Sequence, residues 1–503
     1  MHYIGLDVGT SGCKASVLDA NGKVVAYANH TYRLLSPEPG HVEIDAAVVW
    51  ERVKATLSEA VNKAKQNGVD PSDIVALSAA SFGEAVVLTD ERGEPLAPSI
   101  YYSDIRGDEE TRDVAEAADA GTIVSVTGMP PNPMFSANKL LWIKKHRPAL
   151  LDSAKYLMLF GDFIGYKLTG ERAIDYSLAS RTMLFDINTN KWSVEIAGKL
   201  GLPADRFSKP VQAGTTVGRI TGEVAEETGL PRTLSVVAGG HDQALAALGS
   251  GALLPGQSID GMGSSECITT VIEKGGIDAG RMAEYNFCCE PHVVAGRFIT
   301  LAFNASAGTA MTWFKNRFFS DLARDAEAAK KDFHMLADAL VPGDMTDVLF
   351  LPYVGGSGTP YMNSTTGGAF IGLSLATDAP TMYKAVLEGI CFEMRLNLDL
   401  LDSLGLAPHE IRAVGGNTRS EPLMQIKADI FGKEIHVLED WEIGTVALAY
   451  LCASAGGEES GVLDNLLAHT VVGRVYKPNP ETAEIYNKKM ERYKKLYPQI
   501  REV

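Results

Sequence analysis

The chain has 503 residues, with 46 Lys and Arg against 63 Asp and Glu and a formal charge of −17. That balance argues against a nucleic-acid partner, because phosphate backbones call for clustered cations. A hydrophobic fraction of 46% supplies sizeable cores rather than disorder, and the length predicts two domains.

The chain opens MHYIGLDVGTSG, with no cationic stretch ahead of a long apolar core, so no signal peptide is expected. Residues 4–8 read as a strand with Asp7 near its end. A glycine-rich turn follows at residues 9–12, then a strand over 14–19, an Asn-Gly turn at 20–23 and a third strand from Val24. This is a β-meander signature. Glycine lets a backbone approach a phosphate, so the N–H groups around Gly9 can cradle its oxygens. Thr10 and Ser11 add hydroxyls, Lys14 adds a charge, and Asp7 is placed to hold a hydrated Mg²⁺. The competing reading is an ordinary hairpin with a solvated Asp7. No Walker A loop and no protein-kinase motif set occurs.

Residues 50–66 show a helical period, with Val53, Leu57, Val61 and Ala64 on one face. Strands follow at 74–77 and 85–89, with a turn at 90–93. An apolar strand at 235–238 leads into Gly239, Gly240, His241, Asp242 and Gln243, and a helix is expected near Ala244. A carboxylate at a strand end beside a cleft suits a general base. Its competitor is a helix N-cap at Asp242. His241 reads as structural. The glycine-rich stretch 238–256 marks the domain boundary, giving domains 1–244 and 245–503.

Beyond it the opening hairpin recurs. Met262-Gly263-Ser264-Ser265-Glu266-Cys267 lines up with Val8-Gly9-Thr10-Ser11-Gly12-Cys13, with Gly261 where the first copy has Asp7. Two related domains facing a shared cleft are expected. Helices read at 385–401 and 421–431, and Gly415, Gly416 and Asn417 follow a strand at 411–414. Those glycines can admit a purine, with Asn417 and Ser420 bonding ribose or base; a tight turn with Ser420 as a cap competes. The uncharged run 443–457 is too short for a bilayer and reads as a buried helix. Strands alternating with helices make the architecture α/β. The six cysteines form no CxxC pair, which fits a reduced, cytoplasmic setting.

These residues resemble the FGGY carbohydrate kinases over nearly the full chain. Residues 7–14 resemble the family's phosphate loop and 134–143 its first signature. Residues 368–373 with 385–388 resemble the second signature, although Thr381 stands where an acid or amide is usual. Residues 239–242 resemble the catalytic-base segment and 415–420 the adenosine loop. The resemblance implies two actin-like (ribonuclease H-like) domains flanking a central catalytic cleft. It implies ATP with Mg²⁺, Asp242 as general base and a possible metal contact, and Asp7 at the metal through water. Gly263, Ser264 and Ser265 would form the second phosphate hairpin, and Ala307 and Gly308 would line the nucleotide path. Domain closure would exclude water.

The acceptor segment of the family is spelled here Ser81-Phe82-Gly83-Glu84. Xylulokinases usually have Gln-Met-His-Gly there and glycerol kinases Asn-Gln-Arg-Glu. Tyr102-Ser103-Asp104-Ile105-Arg106 resembles the xylulokinase acceptor strand, while Asp242-Gln243 resembles the glycerol kinase pair. Glu84 and Asp104 are expected to grip vicinal hydroxyls; a solvated strand position is the alternative for Glu84. The xylulokinase-like branch fits best, with a ketopentose such as D-xylulose as acceptor. The alternatives are another polyol or a sugar acid (erythritol, ribitol, glycerol, gluconate), or, in a different class, an actin- or Hsp70-like ATPase or a sugar-sensing regulator. The expected partner is a small-molecule acceptor, with no nucleic acid, no membrane and a possible homodimer.

Overall fold

The computed structural model describes residues 1–275, 277–439, 442–456 and 470–501. The first sheet contains β1 (His2–Val8), β2 (Gly12–Asp19), β3 (Val24–Thr31), β4 (Ile74–Ser81), β5 (Thr216–Arg219) and β6 (Ser235–His241). The second contains β7 (Gln257–Met262), β8 (Glu266–Ile272), β9 (Glu290–Pro291), β10 (Phe298–Asn304), β11 (Glu410–Val414), β12 (Ile435–Leu438) and β13 (Val472–Tyr476).

The strand orders are β5-β6-β4-β1-β2-β3 and β13-β12-β11-β7-β8-β10-β9. Leaving β9 aside, the two sheets match strand for strand. In each, three antiparallel strands form a meander, two parallel neighbours follow, and an antiparallel edge closes the set. The repeat in the sequence is therefore a duplicated sheet. The two turns differ by one residue. Val8 pairs with Cys13, whereas Cys267 pairs with Gly261 and Met262 with Glu266. Equating Cys13 with Cys267 through the turn is thus one residue out of register.

Helix α1 (Ala46–Gln66) is capped by Asp45, whose side chain accepts from the Ala47 and Val48 N–H groups. Its expected face, Val53, Leu57, Val61 and Ala64, is buried against β2 and β3. Helix α2 (Asp242–Gly249) follows β6, and the second half contributes α3 (Ala307–Phe318), α4 (Ala379–Ser403), α5 (Glu421–Phe431) and α6 (Ile443–Ala455). The uncharged run is α6; its last residue, Gly457, lies outside the described residues. α6 is apolar on all sides because it packs on β1, β4 and β6 of the first sheet and on α2. α2 in turn packs on β7 and β8. Leu245, Leu248, Val446, Leu448, Val237, Ile259 and Val271 form the core between the two sheets. Each half thus lends a helix to the junction. Among the described residues no helix is long and apolar enough to cross a membrane.

Candidate active site

Two cavities open at the strand ends where the sheets face each other. The inner one holds about 260 Å³ and is lined by Thr10 of the first hairpin, Ser265 of the second, and Asp242 and Gln243 of α2. Phe82, Gly83, Glu84 and Tyr102 of the expected acceptor set line it too, and Asp104 does not. The outer groove, about 710 Å³, is lined by Gly263, Ser264, Gly308, Gly416 and Asn417. Ser264 and Ser265 are adjacent, so the second hairpin separates the two spaces.

β6 runs through to His241, and α2 begins at Asp242 rather than near Ala244. Asp242 is the first helical residue, and the cap position, His241, makes no side-chain cap bond. The cap reading of Asp242 therefore fails. Its side chain keeps 35% exposure toward the cleft, and His241 Nε2 lies 3.3 Å from Asp242 Oδ1. Burial pushes the Asp242 carboxyl up, to about 6; the His241 charge opposes this, and Asp7 and Glu84 add to it. His241 is buried with Nδ1 2.8 Å from Glu290 Oε1. Burial acts to lower its imidazole, but the charges of Glu290 and then Asp242 outweigh that and hold it up at about 9.

At the first hairpin, Lys14 Nζ lies 3.5 Å from Asp7 Oδ2 and 3.3 Å from Glu442 Oε2. The Gly9 N–H donates to Gly12 O, and Ser11 stands exposed at the tip. In the second hairpin the Gly263 N–H donates to Ser265 O.

Glu84 is buried in a bend at φ 65°, a left-handed position that glutamate seldom occupies. This removes the solvated-strand alternative. Its Oε1 accepts from Arg181 Nε at 2.6 Å and from the second guanidinium nitrogen, and its backbone O accepts from Ser136 Oγ at 2.6 Å. Asp104 corrects the expectation. Its side chain is fully buried away from the cavity, and both oxygens are taken by Arg106 and the Val42 N–H. The paired grip of Glu84 and Asp104 on one sugar therefore does not exist. Tyr102 does line the cavity, its ring centre 4.2 Å from that of Tyr101 with the planes tilted by 38°.

In the outer groove two segments, residues 415–417 and the start of α3, close on the second hairpin's backbone. Asn417 Nδ2 donates to Gly263 O at 2.7 Å, and the Thr309 N–H to Ser264 O at 2.9 Å. A Cβ on Gly308 would sit 2.3 Å from Gly263 O. Gly415, at φ 106°, backs onto Met262 O at 2.5 Å from where its Cβ would be. Gly415 does not line the groove, Asp7, Gly9, Ser11 and Lys14 line neither cavity, and two more expected residues fall outside. Ala307 is buried in the core at the start of α3, and Ser420 is the N-cap of α5, accepting from the Leu423 N–H.

Arg181, Asn132, Asn286 and Thr359 line the inner cavity, and Trp313, Asn316 and Arg317 the outer groove. Sequence reading missed them all. Most are isolated polar residues on separate segments, so no local pattern flags them. The one available signal was the first signature, whose Met134 and Phe135 lie on the inner wall, with the Arg181 guanidinium 5.0 Å from the Phe135 ring centre.

A duplicated α/β frame with one carboxylate between two hairpins and a groove beside them is the layout of a kinase for small hydroxylic acceptors. Residues 2–249 match the N-terminal domain of the FGGY family of carbohydrate kinases, and residues 262–456 match its C-terminal domain. The chain belongs to the FGGY family and is a carbohydrate kinase that uses ATP. It is 26% identical to the xylulose kinase of Bacillus subtilis, over 99% of this chain and 96% of that protein. The ligand-bound xylulose kinase of Lactobacillus acidophilus superposes with a TM-score of 0.90 at 25% identity, over 100% and 98% of the two chains. The gluconate kinase of the same organism gives 0.89 at 25% identity, over 99% and 98%.

Proposed function

We propose that the chain transfers the γ-phosphoryl group of ATP to a hydroxyl of a ketopentose such as D-xylulose, with Asp242 as general base. The observation that carries this is the placement of Asp242. It leads the helix between the two phosphate hairpins and faces a cavity of sugar size. The acceptor O–P bond forms as the bond from the γ-phosphorus to the bridging oxygen breaks, and Asp242 takes the hydroxyl proton. ADP leaves through the outer groove, which Gly308 and Gly416 line beside Gly263 and Ser264 of the second hairpin.

Asp7 and Asp242 present hard oxygen ligands, and the Asp7 charge is felt at Asp242. These two carboxylates would hold Mg²⁺ through oxygen. The ion would supply charge neutralisation at the transferred group. A neutral acceptor is favoured over a sugar acid. Among the described residues Arg181 is the one Lys or Arg lining the inner cavity, and Glu84 and Glu290 occupy its guanidinium. All six cysteines are free and buried, which supports a cytoplasmic setting. A division of the halves at residue 244 would fall within α2.

The test is ADP release with Mg²⁺, screened over ketopentoses, pentitols, glycerol and aldonates. Release should require a ketopentose. Equal release without any acceptor would return the chain to the ATPase reading, and release with gluconate alone would replace the ketopentose by a sugar acid.

A further inference from the structure

Glu290 opens the two-residue edge strand β9, the strand with no counterpart in the first sheet. Its side chain is fully buried, yet it bonds across the cleft to two residues of the first half. Oε1 meets His241 Nδ1 at 2.8 Å, and Oε2 meets the Arg181 guanidinium at 3.2 Å. Each arm continues to the reaction space. The other His241 nitrogen lies 3.3 Å from Asp242 Oδ1, and Arg181 Nε donates to Glu84 Oε1 at 2.6 Å.

We propose that Glu290 is a positioning residue for phosphoryl transfer: through His241 it aims the Asp242 carboxylate, and through Arg181 it fixes Glu84 in the acceptor wall. The general base and the acceptor wall then share one anchor, supplied by the opposite half of the molecule. A base oriented by a third group is a recurring device, because an imidazole ring turns freely about its last bond until its second nitrogen is held. The backbone of His241 is secured independently, since its N–H donates to Ser177 Oγ at 2.9 Å. Loss of Glu290 should therefore free the ring while leaving the main chain in place. The proposal rests on Asp242 being the base.

The test compares Glu290→Gln, His241→Asn, their double variant and Asp242→Asn in the intact protein, with melting as a check on folding. Glu290→Gln should lower kcat about ten- to hundredfold, the scale on which outer partners of a reacting group act. KM for ATP should stay within about twofold, while KM for the acceptor rises through Glu84. The double variant should lose no more than the worse single variant, as expected of one chain of contacts. Glu290→Asp, which keeps the charge, should recover part of the loss. Wild-type kcat in Glu290→Gln, additive losses in the double variant, or equal losses for Gln and Asp would each overturn the proposal. If Glu290→Gln is normal while Asp242→Asn is dead, only this inference fails. If Asp242→Asn is itself normal, the general-base reading fails with it.

Discussion

The two hairpins share a strand order but place their charges oppositely. In the first, Asp7, Lys14 and Glu442 meet at the cleft, with side chains 12–29% exposed. In the second, Gly261 stands where Asp7 would, and the charges sit beneath. Lys427 of α5 lies 2.5 Å from both Asp260 and Glu266, and all three are buried. Burial opposes the Lys427 charge, but the two carboxylates outweigh it; burial and then Asp260 push Glu266 up. One copy of the duplicated frame keeps its side-chain charges partly exposed at the hairpin. The other buries its ions beneath the hairpin, which leaves backbone along the groove. Duplication supplied the scaffold, and divergence of a few residues divided the labour.

The sharpest way to break this comparison is at Asp242. Asp242→Asn should fold and bind MgATP but lose about 10²–10⁴-fold in kcat, read by single-turnover kinetics. Unchanged kcat would leave the junction without its assigned base. Next comes Lys427→Met, which strands two buried carboxylates and should cost about 3–5 kcal/mol in a denaturant melt. Lys14→Met, in the matching hairpin, should cost under about 1 kcal/mol because its ions are partly solvated, and should instead slow turnover. Similar melts for the two variants would erase the distinction drawn here.

Gly308→Ala tests the backbone-for-phosphate role. The added methyl would crowd Gly263 O and Asn417 Nδ2, and overpacking of this kind costs about 1–3 kcal/mol. KM for ATP should rise roughly tenfold with KM for the acceptor unchanged. The smallest effect is with pH. A base must be deprotonated to work, and Asp242 titrates at about 6. Thus kcat/KM for the acceptor should be level from pH 7 to 8 and fall as pH drops through 6. A profile flat down to pH 5 would place the proton elsewhere.

Much of this was legible in the chain. Periodicity gave α1 its buried face, and the echo of residues 8–13 in 262–267 announced the duplication, because strand–turn–strand units are local. The one-residue slip between the turns was not legible, since register is decided by cross-strand hydrogen bonds. Glu84 stood out from its segment and lines the cavity, but its partner Arg181 lies 97 residues away and only tertiary folding joins them. Asp104 misled because a carboxylate near an acceptor motif looks the same whether it faces sugar or Arg106. Ser420 and Ala307 were drawn in by their neighbours, although one caps a helix and the other fills core.

The crossing of α2 and α6 has a consequence for how this protein can be taken apart. A Cβ on Gly249 would stand 2.1 Å from Ile443 O, so the two helices touch backbone to backbone. Because α6 comes from the second half of the chain yet roofs β1, β4 and β6, a fragment ending at residue 244 would carry an uncovered apolar sheet. The remainder would carry an orphaned greasy helix. Such fragments should aggregate when made singly and reassemble when made together, so a gene split at this point would behave as two obligate subunits.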